Sequence, residues 1–155
     1  MKILIADDDP THIQLVSARL RANGFDVLIA RDAMQALMLT LRGQPAAILL
    51  DINMPGGTGM QTLRQLKANP ASNAIPVIVV SGSDDPDLIK KLTLLGAADF
   101  LRKPFVFDDL LRILERTTNR PLQHPLKSQY RIVGSQNGSQ NEDEAAKDLP
   151  QAAKM

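Results

Sequence analysis

The sequence contains no cysteine, its charges nearly cancel, and it has no long apolar run. Without cysteine the chain cannot form disulfides, thiolate metal sites or cysteine nucleophiles. The formal net charge of +1 gives no drive toward nucleic acid or an anionic membrane. The apolar segment after Met1 is too short for a membrane span or a signal peptide, and no small-residue cleavage site follows it. These absences predict a cytoplasmic protein with neither a DNA nor a membrane partner.

Short apolar runs alternate with longer amphipathic stretches along most of the chain. The first four runs are almost continuously apolar, which is typical of strands that a parallel sheet buries on both faces. The predicted strands are Ile3–Ala6, Phe25–Ala30, Ala47–Leu50, Pro76–Val80 and Asp99–Leu101.

Capping signals and helical spacing predict a helix after each strand. Asp9-Pro10 and Asp85-Pro86 each offer an N-cap followed by a proline at the first helical position. Asp32 with Gln35 resembles a capping box. Apolar residues then recur at helical spacing at Ile13, Val16 and Leu20; Leu37 and Leu41; Met60, Leu63 and Leu66; Leu88, Leu92 and Leu95; and Leu110, Ile113 and Leu114.

Repeated strand–helix units predict a doubly wound α/β fold. Right-handed crossovers and the size of the chain favour a five-stranded parallel sheet in the flavodoxin-like order 2-1-3-4-5, with five helices. In such a sheet a ligand site lies beyond the carboxyl ends of the strands, near the point where the strand order reverses. Candidate functional residues should therefore follow the strands.

The composition changes near Asn119. Residues 119–155 are rich in polar residues and hold few large apolar ones, so they cannot form a core of their own. One apolar island, Tyr130–Val133, interrupts them and could dock on the domain or on a partner. We predict a domain over residues 1–118 and a polar, flexible tail over residues 119–155.

Polar residues stand at the ends of four predicted strands. Asp7 and Asp8 follow the first strand, Asp51 the third, Ser81 the fourth and Lys103 the fifth. Crowded carboxylates repel one another unless a cation lies among them, and Mg²⁺ favours a few carboxylates together with water and phosphate oxygens. A lysine and a hydroxyl could pair with the remaining oxygens of a phosphoryl group. Asp51 is therefore a plausible phosphoryl acceptor, since phosphoryl transfer needs mainly positioning and charge neutralisation.

Each of these residues alone has an ordinary interpretation. Asp9 is a helix cap, Ser81 belongs to a turn, and Lys103 is a surface lysine before a rigid proline. Asp7 or Asp8 alone is a solvated loop residue. Their joint placement at the same edge of one sheet is what favours a functional site.

The sequence resembles the receiver domain of bacterial response regulators from Lys2 to about Thr118. The matching segments are ILIADDDP, ILLDINMPGGTG, VIVVSGS and GAADFLRKPF. The resemblance implies that Asp51 is the phosphoacceptor. It also implies that Asp8 and Asp51 supply carboxylate ligands to Mg²⁺, Asn53 its main-chain carbonyl, and Asp7 a contact through water.

The resemblance assigns a switch as well. Ser81 would be the switch hydroxyl, Phe100 the switch aromatic and Lys103 the phosphoryl contact, with a cis bond between Lys103 and Pro104. Ser81 stands where threonine is usual, and Phe100 stands where tyrosine is about as frequent as phenylalanine. Because phenylalanine has no hydroxyl to donate a hydrogen bond, switching here would depend on packing alone. Thr58 occupies a place where aspartate is frequent.

The function implied is a phosphorylation-activated signalling switch. A sensor histidine kinase or a phosphotransfer protein would supply the phosphoryl group from a phosphohistidine. A downstream protein would read the face formed by helix four, strand five and helix five. The receiver would assist its own phosphorylation and dephosphorylation without being an enzyme in the usual sense. The tail is too short and too evenly charged to form a DNA-binding domain. The output would therefore pass through a contact with another protein, or the chain is part of a longer regulator. A homodimer is compatible with either case.

The sequence leaves several alternatives open. A phosphatase of the haloacid-dehalogenase type needs a second acid where Asn53 stands, and it leaves Asp7 and Asp8 unexplained. A receiver-like binding module that is never phosphorylated is disfavoured, because it would not need the acidic pair, Asp51, Ser81 and Lys103 to be present together. A nucleotide-binding domain lacks its glycine-rich loop after the first strand. Neither His12 nor His124 lies on a long bundle helix, so a role as phosphoryl donor is disfavoured.

Overall fold

The alternation of strands and helices is present in a computed structural model of the protein, which describes residues 1–54, 56 and 58–122. Every strand end lies within one residue of its predicted position. Residues 123–155 lie outside the described residues, so the flexible tail and its island Tyr130–Val133 stay predictions. The elements are β1 Lys2–Ala6, α1 Pro10–Ala22, β2 Asp26–Ala30, α2 Ala33–Gly43, β3 Ala47–Asp51, α3 Gly59–Ala68, β4 Val77–Ser81, α4 Pro86–Leu94, β5 Asp99–Arg102 and α5 Phe107–Thr118.

The five strands form one parallel sheet in the order β2-β1-β3-β4-β5, which confirms the predicted fold. Every residue of β3 and β4 is buried. Helices cover both faces of these strands, and this explains why their sequences are continuously apolar. The order reverses between β1 and β3, which places a crevice at the carboxyl ends of these two strands.

Side-chain caps fix where the helices begin. The predicted caps are confirmed: Asp9, Asp32 and Asp85 each accept a hydrogen bond from a backbone N–H in the first turn. Thr58 and Gln61 form a complete capping box at the start of α3. Such caps stabilise a helix by about 1 kcal/mol each. Three of these caps, Asp9, Asp32 and Asp85, follow closely after β1, β2 and β4, so they also anchor the short loops at this edge of the sheet.

The core lies on both faces of the sheet. A large cluster joins Leu4 and Leu50 of the sheet to Ala36 of α2, Leu63 of α3 and Leu92 of α4. The apolar positions predicted for α1 and α5 are buried too, at Ile13, Val16, Leu20, Leu110, Ile113 and Leu114. No helix in the described part of the chain is long and apolar enough to cross a membrane.

Helix α2 is oriented differently from the other helices. Its buried residues are the small Ala33, Ala36 and Thr40. Leu41, one of the apolar positions that mark this helix in the sequence, is 42% exposed. Leu37 is only partly buried, although it packs against the core. The fully buried side chains of α2 are therefore all small, while its large apolar side chains are partly buried or exposed.

Candidate functional site

The register of the sheet brings the strand ends level with one another. Ala6 pairs with Leu50, so Asp7 and Asp51 follow side by side on neighbouring strands. Ser81 ends the next strand, and its carbonyl accepts a hydrogen bond of 2.7 Å from the N–H of Lys103. The residues that the sequence placed at separate strand ends therefore share one edge of the sheet.

Three carboxylates meet in the crevice between β1 and β3. Oxygen atoms of Asp7, Asp8 and Asp51 all lie within 4.8 Å of one another. Asp7 and Asp51 are only 2% and 7% exposed, whereas Asp8 is exposed to solvent. Hard oxygen donors at this spacing, with one side open to water, suit Mg²⁺, which keeps several of its waters. The residues present therefore fit a divalent cation.

Lys103 lies between the two buried carboxylates. Its Nζ is 3.0 Å from Oδ2 of Asp7 and 3.0 Å from Oδ2 of Asp51. Burial alone would lower the pKa of Lys103, but the hydrogen bonds and charges of Asp51 and Asp7 outweigh it and raise that pKa. Oδ1 of Asp51 accepts a 2.9 Å hydrogen bond from the N–H of Asn53. Both oxygens of Asp51 are therefore held in defined positions.

His12 belongs to the site, although sequence reasoning did not assign it there. Its Nδ1 lies 2.6 Å from Oδ2 of Asp7, and its ring meets the ring of Phe105 edge-on at 5.6 Å. An ionised carboxylate only accepts hydrogen bonds, so Nδ1 of His12 donates. The only signal in the sequence was that His12 lies in the first turn of a helix that starts beside the site.

The environment of Asp7 keeps it ionised. Burial alone would raise the pKa of Asp7. The hydrogen bonds from His12, the N–H of Asp9 and Lys103 outweigh burial and hold that pKa well below its usual range. The crevice therefore retains negative charge in the absence of a cation.

The remaining predicted residues lie around this centre. Ser81 is buried, and its Oγ accepts a 3.1 Å hydrogen bond from the N–H of Ser83. Asn53 is exposed, and the Lys103–Pro104 bond is cis, as the resemblance implied. Thr58, at the position where aspartate is frequent, caps α3.

Phe100 lies apart from the carboxylates, on the side of the sheet that α4 covers. It is partly buried and packs against the core. It also borders a cavity of about 210 Å³, lined further by Ile89, Leu92, Thr93, Ala97, Ala98 and Asp99. An aromatic ring beside such a space has room to change its position.

Known proteins share this fold. The family model described as response regulator receiver domain matches residues 3–115. PilH of Pseudomonas aeruginosa is 36% identical over 113 residues, a match that covers 73% of this chain and 93% of PilH. The response regulator PleD of Caulobacter vibrioides is 39% identical over 111 residues, which is 71% of this chain but only 24% of PleD.

Solved structures agree with these matches. The chemotaxis response regulator CheY4 of Vibrio cholerae superposes with a TM-score of 0.71 and 28% identity, covering 75% of this chain and 97% of that one. The receiver domain of a Pseudomonas aeruginosa sensor histidine kinase, solved with a magnesium ion in its active-site cleft, has a TM-score of 0.71 and 29% identity, with coverage of 76% and 97%. The chain therefore belongs to the response regulator receiver domain family, whose members are the signalling domains of two-component systems.

Proposed function

We propose that the chain is a phosphorylation-activated switch in which Asp51 accepts the phosphoryl group. The observation that carries this proposal is the setting of the Asp51 carboxylate. One oxygen is 3.0 Å from the Lys103 ammonium, and Asp51 lies among two further carboxylates at the open edge of the sheet. We further propose that residues 1–118 form the whole receiver, because α5 ends at Thr118 and Asn119 follows in a left-handed conformation that terminates the helix.

The acidic cluster would hold Mg²⁺ through Asp8 and Asp51, with Asp7 acting through water and Asn53 through its main-chain carbonyl. The cation, when bound, supplies positive charge that offsets the crowded carboxylates and the phosphoryl oxygens. The magnesium ion in the related receiver domain from Pseudomonas aeruginosa supports this assignment.

The residues of the chain position the transfer. Receiver domains interact with histidine kinases or phosphotransfer proteins, whose phosphohistidine is the expected donor. An oxygen of Asp51 attacks the phosphorus, the P–N bond breaks as the new P–O bond forms, and the electron pair leaves with the imidazole. Lys103 then pairs with a phosphoryl oxygen, and the hydroxyl of Ser81 donates to another. The N–H of Asn53 keeps the acceptor carboxylate oriented.

The output passes through the face formed by α4, β5 and α5. Movement of Ser81 toward the phosphoryl group vacates space, and Phe100 rotates inward from the cavity between α4 and β5. The populations of two packing arrangements shift, and a downstream protein reads the changed surface. The same site assists hydrolysis of the acyl phosphate, so the signal ends without a separate active site.

Replacing Asp8 by asparagine is expected to raise the dissociation constant for Mg²⁺ by about tenfold or more, because the site has few charged ligands. Asp8 is exposed, so the substitution leaves the core intact. Isothermal titration with MgCl₂ measures the effect. The matched control is Asp9→Asn, since Asp9 is the neighbouring aspartate, caps α1 and lies outside the cluster. Equal dissociation constants for Asp8→Asn and the wild type would mean that the cation binds to other ligands.

A further inference from the structure

Two side-chain donors share one oxygen of Asp7. Oδ2 of Asp7 accepts a hydrogen bond of 3.0 Å from Nζ of Lys103 and one of 2.6 Å from Nδ1 of His12. Oδ1 accepts a 2.9 Å hydrogen bond from the N–H of Asp9. Because Asp7 is buried, water cannot readily replace a donor that leaves. The stability of this buried charge therefore depends on which of the two side-chain donors stays.

Lys103 is the donor that is free to leave. It has a flexible four-carbon stem and a second acceptor, Oδ2 of Asp51, at 3.0 Å. In the proposed function, on which this inference rests, Lys103 pairs with an oxygen of the phosphoryl group on Asp51. That movement loosens the contact between Lys103 and Asp7. The Asp7 carboxylate then needs another donor, because burial and the two neighbouring carboxylates both oppose its charge.

His12 is the donor that is held in place. Its backbone N–H donates to Oδ1 of Asp9, the N-cap of α1, at 3.4 Å. Its ring lies perpendicular to the ring of Phe105, with 5.6 Å between the two centroids. Phe105 follows β5 in the same loop as Lys103, so His12 joins helix α1 to that loop. The short side chain has only two torsions, which this setting restricts. His12 can therefore hold Asp7 while Lys103 moves.

We propose that His12 is a positioning residue for phosphoryl transfer, which keeps Asp7 oriented and its charge compensated when Lys103 turns to the phosphoryl group. The role needs a single N–H at Nδ1, because an ionised carboxylate only accepts hydrogen bonds. His12 acts through Asp7 and exchanges no proton with the reacting atoms. Loss of this N–H should therefore slow the transfer step more than it weakens the binding of a cation.

The test compares His12→Leu with His12→Asn in the full chain. Leucine is apolar and donates nothing, whereas the amide nitrogen of asparagine is bonded to Cγ, as Nδ1 of histidine is, and can donate from nearly the same point. Intact-mass spectrometry follows the reaction with a small acyl-phosphate donor at saturating MgCl₂. His12→Leu should react about tenfold more slowly, as expected when a hydrogen bond to a charged group is lost. His12→Asn should react within about threefold of the wild-type rate.

Mg²⁺ binding provides a readout that is independent of the transfer. Isothermal titration should give dissociation constants for both His12 variants within about threefold of the wild type, because Asp8 and Asp51 are unchanged. Gln14→Leu is the matched control, since Gln14 is an exposed residue of the same helix. It should leave the rate, the dissociation constant and the melting temperature unchanged.

Two results would overturn the role of His12. One is a wild-type rate in His12→Leu. The other is the pattern of a merely structural residue, in which the melting temperature and the Mg²⁺ affinity fall together and asparagine restores no more of the rate than leucine. If the wild type accepts a phosphoryl group on Asp51 and either result is found, only the role of His12 is wrong. If the wild type accepts none, the proposed function fails and the role of His12 fails with it.

Discussion

Asp51→Asn is expected to abolish uptake of a phosphoryl group from a small acyl-phosphate donor in the presence of Mg²⁺. The amide oxygen carries no charge and is a poor nucleophile, yet the side chain keeps nearly the same shape. Lys103 retains its contact with Asp7, so the crevice should stay assembled. Intact-mass spectrometry measures the result: one added phosphoryl group on the wild-type chain and none on the variant.

A matched aspartate tests whether the loss is specific. Asp84 is exposed and forms a surface ion pair with Arg102, so Asp84→Asn should accept phosphate at the wild-type rate. Melting temperatures of both variants verify that they are folded. If Asp51→Asn still gains a phosphoryl group as fast as the wild type, the acceptor is another residue and the proposed function fails at this point.

Gly59→Ala should be the most destabilising of these substitutions. Gly59 is the first residue of α3, and its N–H donates a 2.9 Å hydrogen bond to the carbonyl of Ile52. A Cβ at this position would lie 2.5 Å from Cα of Ile52 and 2.8 Å from its carbonyl oxygen. These are backbone atoms directly after Asp51, so they cannot rotate away. We expect a loss of about 3 kcal/mol in the free energy of unfolding, measured by urea titration.

Gly82 provides the control for Gly59. It lies just after β4, and a Cβ there would meet no atom within 4 Å. Gly82→Ala should therefore change the free energy of unfolding by no more than about 0.5 kcal/mol. Because Gly59 holds the segment after Asp51 against the start of α3, Gly59→Ala should also weaken Mg²⁺ binding. A urea midpoint for Gly59→Ala equal to that of the wild type would mean that α3 moves freely relative to β3.

The fold was predictable because several local signals agreed. Continuous apolar runs such as Ala47–Leu50 are typical of strands in a sheet covered on both faces, and the aspartate–proline pairs mark helix starts that the structure confirms. The site was predictable because a parallel sheet gathers the ends of its strands at one edge. Asp7, Asp51 and Lys103 therefore came together although they are far apart in the sequence.

Other features depend on rotations that a sequence pattern does not define. His12 faces Asp7 only because of the angle at which α1 leaves the strand end, and no spacing rule gives that angle. The spacing of Leu37 and Leu41 predicts a helix, but it does not say which side of that helix meets the sheet. In the structure the alanines of α2 face inward, because a small side chain allows the helix to approach the strands closely. The exposed positions of Met34 and Met38 on the opposite side of α2 are a consequence of this packing.

A cation bound at the three clustered carboxylates, as proposed, would also link metal binding to folding. Asp7 and Asp8 follow β1 and Asp51 ends β3, so the cluster exists only when these two strands lie side by side. A cation held there binds the folded chain and not the unfolded one, and mass action then favours the folded state. At ten times its dissociation constant, the free cation adds about 1.4 kcal/mol to the free energy of unfolding. With Mg²⁺ bound as proposed, the fraction of folded chain would therefore depend on the magnesium concentration, even in the unphosphorylated protein.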